Sequence, residues 1–139
     1  MQSKLLWDGK MGFTANGDSG HPIKVDVSTD NGGNDSGPRP MELILHGLGG
    51  CSGTDVVSIL HKMQQKLERL SIEINGTRAD DFPKRFTKIQ IIYHVAGTNL
   101  DPERVKHAVD LSLSKYCSVA GSLNAEIVSE VVIESELNA

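Results

Sequence analysis

The sequence predicts an α+β fold. Three observations carry that expectation. The first third alternates apolar and polar residues between turn signals, and a long stretch of helical period follows Pro40. Alternation then returns, interrupted by one further helix start. The chain has 139 residues, 38% hydrophobic and 23% charged, the balance of about one soluble globular domain, taken here as residues 1–139. Its 14 Lys+Arg against 18 Asp+Glu leave a net charge of −4, so no basic footprint for nucleic acid is expected. Aromatic residues are 4% of the chain, too few for a base-stacking platform. No contiguous apolar run approaches the ~18 residues of a membrane span. Met1-Gln2-Ser3-Lys4 lacks the apolar core of a signal peptide. With 2 Cys the chain is no disulfide scaffold, and a reducing cytoplasm is the expected compartment.

Leu5-Leu6-Trp7 and Lys10-Met11-Gly12-Phe13 flank Asp8-Gly9, a pair suited to a type I′ hairpin. Asn16-Gly17-Asp18-Ser19-Gly20 is a second turn signal. Ile23, Val25 and Val27 then alternate with Lys24 and Asp26 as a half-buried strand would, and Thr29 to Pro38 reads as an exposed loop. Pro40 suits the first position of a helix and Glu42 suits its positive end. Val56, Leu60, Met63 and Leu67 keep the spacing of one buried face, so a helix of ~45 Å is expected from Pro40 to about Arg69. Ile72 and Ile74 read as one strand, and Lys88 to Val95 as another. Asp101-Pro102-Glu103 starts a helix that carries Val105, Ala108, Val109 and Leu113 on one face until about Tyr116. Ala125 to Leu137 alternates as a last strand.

The segment Glu42 to Gly53 is the unusual one. Its four glycines each cost a helix roughly 1 kcal/mol relative to alanine, so packing must offset them. Gly47, Gly50, Cys51 and Thr54 form a stripe of small residues that lets another backbone approach, with the Cys51 sulfur in the contact. The plain alternative is a packed helix with an inert buried cysteine. Cys117 sits where the second helix ends; a helical turn starting there would favour its thiolate. The 66-residue spacing does not say whether the two cysteines meet. Neither a Cys-x-x-Cys nor a clustered Cys/His pattern suggests structural zinc, the five histidines are scattered, and Gly47-Leu48-Gly49-Gly50 lacks the ending of a phosphate loop.

Pro40-Met41-Glu42-Leu43-Ile44-Leu45, then Gly49-Gly50-Cys51 and Asp55-Val56-Val57, and far downstream Cys117-Ser118-Val119, resemble the OsmC/Ohr family: osmotically induced protein C and organic hydroperoxide resistance proteins. The resemblance spans nearly the whole chain and points to a less characterised OsmC-like branch. It implies antiparallel sheets with a long central helix in an intertwined homodimer. The implied activity is that of a thiol-dependent peroxidase for organic hydroperoxides in oxidative stress defence. By the same resemblance Cys51 attacks the peroxide, Cys117 resolves the sulfenic acid as a disulfide, and Glu42 is the site carboxylate. No cofactor or metal is implied, and a dithiol or lipoyl-type reductant would return the electrons.

Two departures from the family pattern stand out. No arginine precedes Arg39, so Arg39, Lys10 and Lys24 are the candidate cationic activators, and Ser118 replaces a proline after the second cysteine. Asp55, one helical turn after Cys51, adds negative charge to the thiol if it shares its face. The alternative function is a dimer of the same fold that binds a small hydrophobic or thiol-reactive ligand without turnover. In a regular helix Glu42 and Cys51, nine residues apart, point to opposite sides with a rise of ~13.5 Å, so the acid would reach a thiol across a twofold interface.

Overall fold

The computed structural model describes residues 1–134 and divides into two compact units, Met1–Ile44 and a second that begins at Leu45. The first unit holds a three-stranded antiparallel sheet, β1 (Ser3–Trp7), β2 (Phe13–Gly17) and β3 (Ile23–Val25). Asp8-Gly9 does turn the chain, with Gly9 at φ 93°, but not as a two-residue hairpin. Trp7 pairs with Phe13 across a five-residue loop, because the Asp8 carboxylate accepts the N–H groups of Lys10 (2.8 Å) and Gly12 (3.1 Å). β3 stops at Val25, and the buried side chain beside it is Asp26, 1% exposed, rather than an apolar residue. Asp26 accepts hydrogen bonds from the backbone of Val27, Asn34 and Ser36 and from the Ser36 hydroxyl (2.6 Å). These bonds hold its carboxyl well below the usual carboxylate range, the Ser36 hydroxyl contributing most. The polar loop Thr29–Pro38 is therefore folded around one anion. A 3-10 turn, Thr29–Asn31, lies inside it.

Helix α1 runs Pro40–Lys62, beginning in the first unit and continuing in the second. At ~1.5 Å per residue it is about 35 Å long, shorter than the sequence periodicity suggested. Gln64 adopts φ 60°, Gln65 N–H bonds the Leu60 carbonyl and Gln64 N–H bonds that of His61, the two bonds of a Schellman stop. No glycine marks that stop, and Leu67 belongs to the following strand. By length and composition α1 is the one helix among the described residues that could cross a membrane. The sequence criterion of contiguous apolar residues misses it because His46, the glycines, Ser52, Thr54 and Asp55 interrupt the run.

The second unit is a sheet of β4 (Lys66–Arg78), β5 (Phe86–Thr98) and β6 (Glu126–Ile133), with β5 in the centre. β4 and β5 are antiparallel, but β6 runs parallel to β5, so the expectation of antiparallel sheets holds only in part. A parallel neighbour requires a crossover. It is supplied by α2 (Pro102–Leu111), a π-helical turn (Ser112–Tyr116) and α3 (Ser118–Gly121). Asp101 caps α2 through the Glu103 N–H, as its sequence predicts. The last-strand reading extended to Leu137; residues 135–139 lie outside the described part.

Ile89, Ile91, Tyr93 and Val95 of β5 are fully buried, as are Leu48, Val56 and Leu60 of α1 and Val105 and Ala108 of α2. The glycines of α1 divide into two sets. A Cβ on Gly49 would lie 2.7 Å from Ile74 Cδ1 and one on Gly53 2.9 Å from Ile72 Cδ1, so these two let the helix sit close on β4. Gly47 and Gly50 face open space, with nothing within 4 Å of a Cβ.

Candidate functional site

The helix period puts Cys51 and Asp55 one turn apart on a single face of α1. The π-helical turn after α2 carries the chain to Cys117, whose N–H bonds the Ser112 carbonyl at 2.7 Å and whose backbone is extended at φ −72°, ψ 102°. Cys117 is thereby the N-cap of α3, and its sulfur accepts the Ala120 N–H at 3.4 Å. Both cysteines are free thiols; Cys51 is half-buried and Cys117 buried. The two sulfurs and a carboxylate oxygen of Asp55 all lie within 4.8 Å of one another. The 66-residue separation thus closes in space, and Asp55 does share the face of Cys51. Burial pushes the Cys117 thiol up. The Ala120 N–H opposes that, and the adjacent Cys51 thiol adds to it.

Three further residues, which the sequence reading did not single out, hold this cluster. Ser112 Oγ donates to Asp55 Oδ2 at 3.0 Å and lies 2.8 Å from Ser52 Oγ, which lies 2.6 Å from the Tyr93 hydroxyl. Since Ser112 spends its proton on the carboxylate, Ser52 donates to Ser112 and Tyr93 to Ser52. Ser52, Tyr93 and Ser112 are all fully buried. Burial, the larger effect, pushes the Tyr93 hydroxyl above its ordinary value, while its bond with Ser52 pulls the other way. A tyrosine at an inward position of an otherwise aliphatic strand was the available signal, since a buried hydroxyl requires a partner. Next to the cluster, Asp55, Ile59, Lys62, Met63, Leu111 and Tyr116 border a cleft of about 470 Å³.

The other sequence-predicted residues lie in the first unit, each with a partner there. Glu42, exposed in the first turn of α1, accepts the Arg39 N–H at 2.7 Å and so closes the helix start. Arg39 pairs with Asp35 at 2.6 Å and donates to the Gly37 carbonyl. Lys24 pairs with Asp8 at 3.0 Å, and Lys10 donates to Asn34.

Residues 32–132 match the family model described as OsmC-like protein. The chain belongs to the OsmC-like family. Protein YhfA of Escherichia coli K12 is 41% identical to this OsmC-like chain over 120 residues, which cover 86% of the chain and 87% of YhfA. A hypothetical protein from Aquifex aeolicus VF5 superposes with a TM-score of 0.84 at 29% identity, covering 97% of this chain and 96% of that one. The fold is shared with the organic hydroperoxide resistance protein OhrB of Bacillus subtilis, with a TM-score of 0.61 at 16% identity and coverage of 96% and 98%.

Proposed function

We propose that this OsmC-like chain is a two-cysteine peroxidase that reduces organic hydroperoxides in the cytoplasm as part of oxidative stress defence. The observation that carries the reading is the approach of the Cys51 and Cys117 sulfurs to within 4.8 Å, one half-buried and the other buried. Cys51, the less buried of the two, is the sulfur a peroxide would reach first. Its thiolate attacks the O–O bond, forming Cys51–SOH and releasing the alcohol. Cys117 then condenses with the sulfenic acid, giving a disulfide and water. A dithiol or lipoyl-type donor restores both thiols. Ile59, Met63, Leu111 and Tyr116 favour an apolar peroxide over hydrogen peroxide.

The reading includes an obligate homodimer of single-domain chains, 1–139. Gly47 and Gly50 leave a bare strip on α1, and Val57 of the same helix is 47% exposed; a second copy would cover them. Glu42 then acts across the twofold axis, and Arg39, Lys10 or Lys24 supplies positive charge by exchanging its present partner. Mixed dimers of Cys51→Ser and Glu42→Ala chains test the crossed contribution. Each homodimer should be inactive and the mixed dimer should regain one site of two; activity no higher than that of the parents would remove Glu42 from the partner's site. The primary test is consumption of cumene hydroperoxide and hydrogen peroxide, side by side, with dithiothreitol as donor. Faster turnover of cumene hydroperoxide that is lost in Cys51→Ser supports the reading. No turnover of either would favour a dimer that holds a small hydrophobic or thiol-reactive ligand.

A further inference from the structure

Cys51, Asp55 and Cys117 form a donor set that the spacing of cysteines and histidines in the chain does not announce. We infer that, with both cysteines reduced, these three side chains hold one thiophilic divalent cation, Zn²⁺ being the ion whose ligand chemistry fits. The inference goes beyond peroxide turnover. A bound ion and a Cys51–Cys117 disulfide need the same two sulfurs, so binding belongs to the reduced protein alone.

Two independent features support it. The first is reach. Zinc–sulfur bonds of ~2.3 Å and zinc–oxygen bonds of ~2.1 Å place tetrahedral ligands about 3.5–3.8 Å apart. The three ligand atoms already lie within 4.8 Å of one another, so side-chain shifts of about 1 Å close the set. The second is the support behind the carboxylate. Asp55 Oδ2 accepts the Ser112 hydroxyl, which is backed by Ser52 and Tyr93, and Oδ1 has no hydrogen bond among the described residues. Ligating carboxylates are held in this way, one oxygen fixed from behind and the other turned to the ion. Two sulfurs and one carboxylate select zinc over magnesium or calcium, which take oxygen ligands. Three protein ligands leave a fourth position for water or a small anion. Half-exposed Cys51 and the cleft bordered by Asp55 give the ion a way in. Binding exchanges the two thiol protons for the metal, so one Zn²⁺ displaces up to two H⁺ to buffer.

The test uses the full chain, reduced and freed of metal, titrated with Zn²⁺ against a chromophoric chelator at neutral pH. One zinc per chain is expected. Co²⁺ in its place should give thiolate-to-cobalt charge-transfer bands and the visible bands of a tetrahedral site. Cys51→Ser and Cys117→Ser should each weaken binding by about 100-fold or more, and the isosteric Asp55→Asn by at least about 10-fold. Ser112→Ala, which touches no ion, should weaken it by about 10–100-fold through Asp55. Should a variant fold poorly, protection of the wild-type thiols from alkylation by equimolar Zn²⁺ gives the same answer. No stoichiometric binding by the wild type, with both thiols still titratable, overturns the site; undiminished binding by Asp55→Asn overturns its three-ligand form. Peroxide consumption measured without metal is scored separately, so loss of turnover with zinc binding intact counts only against the peroxidase reading.

Discussion

Replacing Ser52 with alanine should disturb the protein more than its single lost hydroxyl suggests. In the donor chain Tyr93 to Ser52 to Ser112 to Asp55, Ser52 is the only partner of the Tyr93 hydroxyl among the described residues, and both side chains are fully buried. Ser52→Ala leaves that hydroxyl without a partner, which costs about 1–3 kcal/mol, on top of about 1 kcal/mol for the bond to Ser112. Tyr93→Phe removes the phenol oxygen and leaves Ser52 still bonded to Ser112, a loss of about 1 kcal/mol. With both changes nothing is orphaned, so the double variant should lose about 1–3 kcal/mol less than the sum of the singles. Urea unfolding of the reduced protein at one fixed concentration measures all four corners of the cycle. Additivity within about 0.5 kcal/mol would refute the ordered chain of donors and, with it, the account of how Asp55 is held.

Other variants address separate parts of the molecule. Asp26 has its carboxyl lowered by Ser36 and its loop, so the stability it contributes is present above the unfolded value of ~3.9 and is lost as pH falls; Asp26→Asn should flatten the acid limb of a pH–stability profile, and an unchanged limb would exclude that role. Gly50→Leu meets empty space within one chain, so a monomer should tolerate it or gain about 1 kcal/mol in helix propensity. With a partner packed there, the same change should dissociate the dimer at a cost of about 1–3 kcal/mol, seen by sedimentation; a wild-type monomer would refute the dimer. Lys10→Met, Lys24→Met and Arg39→Met test the cations by alkylation of Cys51 at neutral pH. One of the three should slow it, and three unchanged rates would leave the thiol without a cationic activator and favour the ligand-binding reading over the peroxidase.

Much of the fold was readable because period and capping agree with the final structure. Pro40 and Asp101-Pro102 mark real helix starts, and the alternation around Ile91 marks the central strand. What stayed hidden depends on contacts between distant residues. The end of α1 is a left-handed Gln64, which no local residue type announces, and the parallel pairing of β6 follows from the crossover rather than from its own alternation. Asp26 reads as the polar face of a strand but is buried, since its partners come from up to ten residues further along. At the site, the resemblance picked out both cysteines, whereas their proximity requires the π-helical turn at Ser112–Tyr116. Ser52 and Ser112 are invisible to spacing arguments because small hydroxyls occur everywhere; only their shared burial gives them meaning.

The proposed peroxidase requires Cys51 and Cys117 to act as one redox pair. That requirement is tested most directly by adding one equivalent of cumene hydroperoxide to the reduced, metal-free protein and mapping the thiols by mass spectrometry. Consumption of about one equivalent per chain, loss of both free thiols, and an intramolecular Cys51–Cys117 peptide that Cys117→Ser cannot form are expected. Two thiols still free after exposure, with the peroxide unconsumed, would contradict it.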